Sequence, residues 1–193
     1  MAKRDSKWKR NVISIFIVLL MVFSVLGIMF SGQDTEQAKK YNGNKFIARD
    51  NKWILNVDKK WLDFDYFPTD VEYIAVDKEV KEKILGSTMV HITFNPENVT
   101  SMIDKSRFDL TNLLLNKFDI YASSSIIKNS TEYQFPIITC ENATSFVPVI
   151  ELKIENKTNI IVQDNCIILQ AKSDEDMVKI RDAVIYKLIG VIE

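Results

Sequence analysis

Side chains able to do chemistry are few and scattered along this chain of 193 residues. Two are cysteines, Cys140 and Cys166, and one is a histidine, His91. Two thiols without further ligands at a fixed spacing make a poor zinc site. An even cysteine count in an oxidising compartment reads instead as a disulfide, so Cys140 and Cys166 are expected to be bonded. Closing a loop of about 27 residues stabilises the fold by roughly 3.5 kcal/mol, counted as loop-closure entropy. His91 sits in Thr88–Phe94, TMVHITF, facing away from Val90 and Ile92. A catalytic histidine needs a nucleophile or a carboxylate beside it, and no local motif supplies one. Asp63, Asp65 and Asp70 lack the glycine and the spacing of a calcium loop, so the solvated face of a strand is expected. The five glycines are far apart, which leaves no phosphate-binding loop, and neither G-x-S-x-G nor H-E-x-x-H occurs. No catalytic, cofactor-binding or metal-binding residue is therefore named, and no cofactor is expected. Four N-x-[ST] sequons begin at Asn98, Asn129, Asn142 and Asn156. They are glycosylation acceptors if the segment is extracellular, or plain turn sequences with the right residues in order.

What must position these residues starts with Asn11–Phe30, NVISIFIVLLMVFSVLGIMF, which carries no charge. Twenty helical residues reach about 30 Å, the thickness of a bilayer's hydrocarbon core. Lys3, Arg4, Lys7, Lys9 and Arg10 precede it against the single acid Asp5, while the residues after it are balanced. Positive charge beside a span stays cytoplasmic. The expected organisation is a basic cytoplasmic tail (1–10), a transmembrane signal-anchor (11–30), a stalk (31–44) and an extracytoplasmic domain (45–193). A cleaved signal peptide is the rival, but its apolar run is usually 7–15 residues and an A-x-A-like site is missing. Without the tail, 20 basic and 25 acidic residues remain. That acidic balance, with no basic cluster, excludes nucleic acid as partner.

Beyond the span, KFIA, KWILNV and KWLDFDYF read as strands split by turns at Arg49–Asn51 and Asp58-Lys59, with Leu62 and Phe64 on one face and Trp61 and Asp63 on the other. Lys78–Leu85 reads as a short helix. Thr88–Phe94, a helix capped by Ser106 and running to Phe118, and Asp119–Ile127 form a strand–helix–strand unit of the parallel crossover type. Phe108, Leu114, Leu115 and Phe118 are its expected apolar side. Short strands follow at Pro136–Cys140, Val147–Ile154, Asn159–Gln163 and Cys166–Ala171. Ser173 caps a final helix whose stripe of Met177, Ile180, Val184 and Leu188 faces the core. The expected fold class is α+β, or a small three-layer α/β domain, with a mixed sheet.

Several of these stretches carry a resemblance. Tyr41-Asn42-Gly43 with Phe46, and Phe64-Asp65-Tyr66-Phe67-Pro68, open it. Thr139-Cys140-Glu141-Asn142-Ala143-Thr144, Pro148-Val149-Ile150 and Asn165-Cys166-Ile167-Ile168-Leu169-Gln170 continue it, and Asp182 with Tyr186–Val191 closes it. Together they resemble an uncharacterised family of single-span, membrane-anchored proteins of small-genome archaea. The resemblance covers most of 41–193 and implies a location and a fold, not an activity. The chain departs from that pattern at Ala171, where a glycine is expected, and in lacking the extra cysteines of some relatives.

Two function classes follow. The first is a membrane-anchored binding or envelope-interaction module, with the lipid bilayer and an envelope protein or glycan as partners. The alternative is an envelope enzyme, hydrolase-like, whose site is assembled from distant residues. A deep pocket with converging carboxylates or His91 would favour the enzyme, and an exposed apolar patch the binder.

Overall fold

The computed structural model describes residues 4–31 and 37–192, with side chains in the first helix described at Trp8 and at 11–25. The chain divides into two compact units, Met1–Gln37 and Ala38–Glu193.

The first unit is one helix, α1 (Arg4–Ser31), 28 residues long. The described apolar side chains along it, from Val12 to Val25, are exposed. Among the described residues no helix is long and apolar enough to cross a membrane. The remainder of the expected span, at 26–30, has side chains outside the described residues, as does all of 32–36 in the expected stalk.

The second unit opens with an antiparallel meander: β1 (Ala38–Tyr41), β2 (Asn44–Arg49), β3 (Lys52–Val57) and β4 (Lys60–Phe64). Three two-residue turns connect them, at Asn42-Gly43, Asp50-Asn51 and Asp58-Lys59, and all six residues have positive φ. That is the mirror-image hairpin turn, whose twist matches the strands and which Asn, Asp and Gly enter most easily. The first hairpin begins inside the stretch expected to be stalk. Phe46, Leu55 and Phe64 fill the buried face, while Trp61 and Asp63 stay exposed. Phe64 stacks on Tyr186 at 4.2 Å between ring centroids.

After α2 (Lys78–Leu85), capped by the Asp77 carboxylate, come β5 (Met89–Phe94), α3 (Ser101–Phe118), β6 (Tyr121–Ile126), β7 (Val149–Ile154), β8 (Asn159–Gln163), β9 (Cys166–Ala171) and α4 (Asp174–Ile189). The strands form one mixed sheet in the order β6-β5-β7-β9-β8, parallel except for β8 at the edge. The fold is therefore α+β, with one mixed and one antiparallel sheet. Two expectations are corrected. α3 starts five residues earlier than Ser106 because the Thr100 hydroxyl accepts the Ile103 N–H at 3.2 Å; Ser106 is buried within the helix. Pro136–Cys140 is not a strand. Ile137 touches Ile126 in a lone bridge, and the chain then turns at Cys140–Asn142, where the Asn142 side chain accepts the Thr139 N–H.

α4 is the central helix. Met177, Ile180, Val184 and Leu188 are all buried, and so is the second row of Val178 and Ile185. Ser173 caps its start, and Gly190 ends it with φ 76°, a conformation that glycine adopts without strain.

Candidate functional site

A groove of about 560 Å³ runs between β4 and α3. Its walls are Lys60–Phe64 on one side and Phe108, Asp109, Asn112, Leu113, Asn116 and Lys117 on the other, with Ile185 of α4 also lining it. The helix residues recur at spacings of four and three, so a single face of α3 builds the wall. Trp61 is 64% exposed and Phe108 60%, against an interior where most large apolar groups are buried. The sequence placed Phe108 and Leu115 on the core side of α3. They are exposed, and Ile103, Leu110, Leu113 and Leu114 take the core. The cause is the packing of α3 against α4, which puts the 110–114 face inward.

Ionic contacts tie both ends of the groove. At one end the Lys60 ammonium donates to the Asn116 carbonyl, and Lys117 pairs with Asp58. At the other end Asp109 belongs to a buried cluster. Arg181, 1% exposed, pairs with Asp65, Asp109 and Asp182, the last at 3.0 Å. Lys105 lies 2.7 Å from Asp65 and 2.9 Å from Asp109. The fully buried Asp182 accepts main-chain N–H groups of Asp65 and Tyr66 at 3.0 and 2.9 Å, and the Tyr186 hydroxyl donates to the Tyr66 carbonyl at 2.7 Å. The cluster clamps the chain leaving β4 onto α3 and α4, and so fixes the width of the groove.

Three carboxylates face two cations here, so one negative charge is in surplus. Burial pushes Asp182 up to about 7, against the opposing pull of Arg181. Asp65 moves the other way: burial raises it, but hydrogen bonds from Lys105 and Arg181 outweigh that and hold it below the usual range. The expectation that Asp65 lies on a solvated strand face is thus corrected. β4 ends at Phe64, the alternation stops there, and Asp65 turns to Arg181. Asp63 remains on the exposed face, paired with Lys52, and Asp70 accepts the Phe67 N–H.

A second cavity of about 140 Å³ opens near the carboxyl ends of β5 and β7, with Asn95, Asn98 and Ile103 in its lining. Parallel sheets often bind ligands at such ends. Its volume is well under the roughly 300–1,000 Å³ of ordinary ligand sites, whereas the β4–α3 groove lies inside that range.

The remaining candidates are dispersed. Cys140 and Cys166 form the expected disulfide, with Cα atoms 5.2 Å apart. Glu151 of β7 joins them: its carboxyl oxygen is 3.2 Å from the Cys140 sulfur, and the three side chains bring their terminal atoms within 4.8 Å of one another. With both sulfurs bonded, no thiolate is offered to a metal. Glu151 is raised by burial. His91 is on β5, away from the groove; burial lowers it, and its Nδ1 has no hydrogen-bond partner among the described residues. Asn98, Asn129, Asn142 and Asn156 are all exposed. The hydroxyls of two sequon threonines already have structural tasks: Thr100 caps α3, and Thr158 donates to Asp176 at 2.7 Å.

Asp182 stood out in the sequence only as part of the resemblance and Arg181 not at all, since a charged pair on a helix normally marks its solvated side. The apolar residues on both flanks of that pair are the trace that a helix buried all round leaves. Compared with known protein families, with curated proteins and with solved structures, the chain matches none.

Proposed function

We propose that this chain is a membrane-anchored, extracytoplasmic binding module that holds its ligand in the β4–α3 groove. The observation that carries the reading is the pair of exposed aromatic rings, Trp61 and Phe108, in the lining of a ligand-sized groove. Flat apolar faces flanked by the carboxamides of Asn112 and Asn116 suit a sugar, whose C–H face packs on a ring while its hydroxyls bond to amides. An envelope glycan is therefore the ligand class. The enzyme reading has less support. Asp63 and Asp109 in the groove are both engaged by cations, and His91 lies elsewhere.

The anchor rests on the charge-free run Asn11–Phe30 and the basic residues ahead of it. With the N-terminus cytoplasmic, the disulfide would lie in an oxidising compartment, where such bonds persist. The test is a photo-crosslinking amino acid placed at Phe108 in intact cells, with Phe146, 81% exposed on another loop, as control. A glycan adduct at 108 and none at 146 is expected. Equal labelling at both, or none at 108, rejects the groove as the binding site.

A further inference from the structure

The mixed sheet has a second, smaller apolar cluster, made by Val149, Cys166 and Ile168 with Ile138, Cys140, Ala143 and Ile161 packed against it. Within it lies a carboxyl group that the groove does not use. In the register of the sheet Glu151 pairs with Thr93 and Ile168, and Val149 pairs with Cys166. Paired residues of neighbouring strands point to one face, so Glu151 shares the face of the disulfide. The Thr93 hydroxyl donates to the Ile138 carbonyl at 2.8 Å, which holds the loop carrying Cys140 over this face.

We propose that the Cys140–Cys166 bond is a thiol-exchange site, with Glu151 as its proton donor. Three observations support this. First, the two sulfurs are unequal: Cys166 is 1% exposed and Cys140 is partly exposed. An external thiolate therefore meets Cys140. Second, Glu151 makes no ion pair among the described residues, and its one described polar side-chain contact is the Cys140 sulfur at 3.2 Å. A bonded sulfur has no proton to give, so this contact is a hydrogen bond only when the carboxyl is the donor. Burial, which raises Glu151, favours that protonated form. Third, the loop that carries Cys140 also presents Phe146, an exposed apolar contact point for a thiol-bearing partner.

The exchange balances as follows. The thiolate of an external dithiol attacks Cys140 Sγ, and the Cys140–Cys166 bond breaks. A mixed disulfide forms on Cys140, and the electron pair leaves with Cys166 Sγ as a thiolate. That thiolate is enclosed by apolar side chains, where a charge is costly. Glu151 transfers its proton to it, leaving Cys166 as a thiol and Glu151 as a carboxylate. The second sulfur of the dithiol, as thiolate, then displaces Cys140. The dithiol ends as its own disulfide, and the Cys140 thiolate takes a proton from water and donates to the Glu151 carboxylate. The dithiol is oxidised by two electrons and the protein's bond reduced by two.

Other charged or titratable groups near Glu151 are few. Lys153 and Glu155 are on β7 and its end, His91 is on the same face of β5, and Glu141 is exposed on the turn of Cys140. The described residues of β9 bring only the cysteine.

The test uses the full chain in detergent with dithiothreitol as the dithiol, and follows thiol release by alkylation and mass analysis. Rates are divided by the thiolate fraction of the reagent at each pH. The wild-type corrected rate should rise as the pH falls and Glu151 takes up its proton. Glu151→Gln should be at least about tenfold slower, with a flat profile. Glu151→Asp should keep a sloping profile. Brief exposure to glutathione should place the adduct on Cys140. Equal corrected rates in wild type and E151Q, an adduct on Cys166, or a bond that yields only when the protein unfolds would each overturn the proposal. The adduct position and the wild-type profile decide the matter even if E151Q fails to fold. Neither depends on whether the groove binds a glycan.

Discussion

Arg181→Met is the most informative single change for the fold that holds the groove. The Arg181 side chain is 2% exposed and that of Asp182 is fully buried, so water cannot replace the guanidinium. Methionine fills much of the same volume but leaves the Asp182 carboxylate with no cation and Asp65 and Asp109 sharing Lys105 alone. Removing one partner of a buried ion pair typically costs about 3–5 kcal/mol. In a unit of this size each kcal/mol moves the melting temperature by roughly 2–4 °C, so a fall of about 10 °C is expected. Asp182→Asn is the contrast. The amide oxygen still accepts the N–H groups of Asp65 and Tyr66, and the surplus negative charge is gone, so the change should stay within about 1 kcal/mol. The double variant R181M/D182N should recover part of the loss. Thermal unfolding of the full chain in detergent, followed by circular dichroism, measures all three. If R181M melts within about 2 °C of wild type, the cluster does not clamp β4 to the helices and the reasoning fails.

Other perturbations follow from the same geometry. Asp182 has its folded pKa raised to about 7, above the unfolded carboxyl range near 4. The folded state then binds the extra proton between those values, so this contribution to stability is complete below about pH 4 and is lost as pH rises through 7. Asp65, lowered in the fold, contributes stability above pH 4 that disappears on further acidification. Urea midpoints across pH should show D182N flattening the slope between pH 4 and 7, and a slope unchanged by D182N would refute the assignment. Val184→Asp buries an unpaired carboxylate at a site 1% exposed and should leave no cooperative melt. Cys140→Ser with Cys166→Ser opens the loop and should lower stability by roughly 3.5 kcal/mol in urea titrations. Trp61→Ala and Phe108→Ala remove exposed rings and should each shift stability by under about 1 kcal/mol, which separates a binding role from a packing one.

Where one local signal governs an element, the sequence was a good guide. α4 is bounded by a serine cap and a terminal glycine, and its apolar spacing is helical, so its extent and its buried stripe were both legible. The β2–β3–β4 meander was legible from alternation and turn residues. Asn42-Gly43 signalled a further hairpin just as strongly, but the short polar strand Ala38–Tyr41 masked it, because its side chains do not alternate in polarity. The start of α3 was misplaced because two hydroxyl residues compete as caps, and only the tertiary fold shows that Thr100 reaches the free N–H while Ser106 is enclosed. The site was the least legible part. Trp61 is one exposed residue of a strand, and Phe108 looks like core until the helix is set against α4. Glu151 reads as the polar member of an alternating strand, and only the loop that folds back over the sheet brings a sulfur to it.

The most direct test of the binding account is calorimetric titration of the full chain, held in a lipid nanodisc, with glycans released from the envelope of cells that carry the protein. Wild type should bind saturably, and the Trp61→Ala, Phe108→Ala double variant should bind at least about tenfold more weakly while melting at the wild-type temperature. Equal affinity in wild type and the double variant, or no binding to wild type at all, would contradict the account.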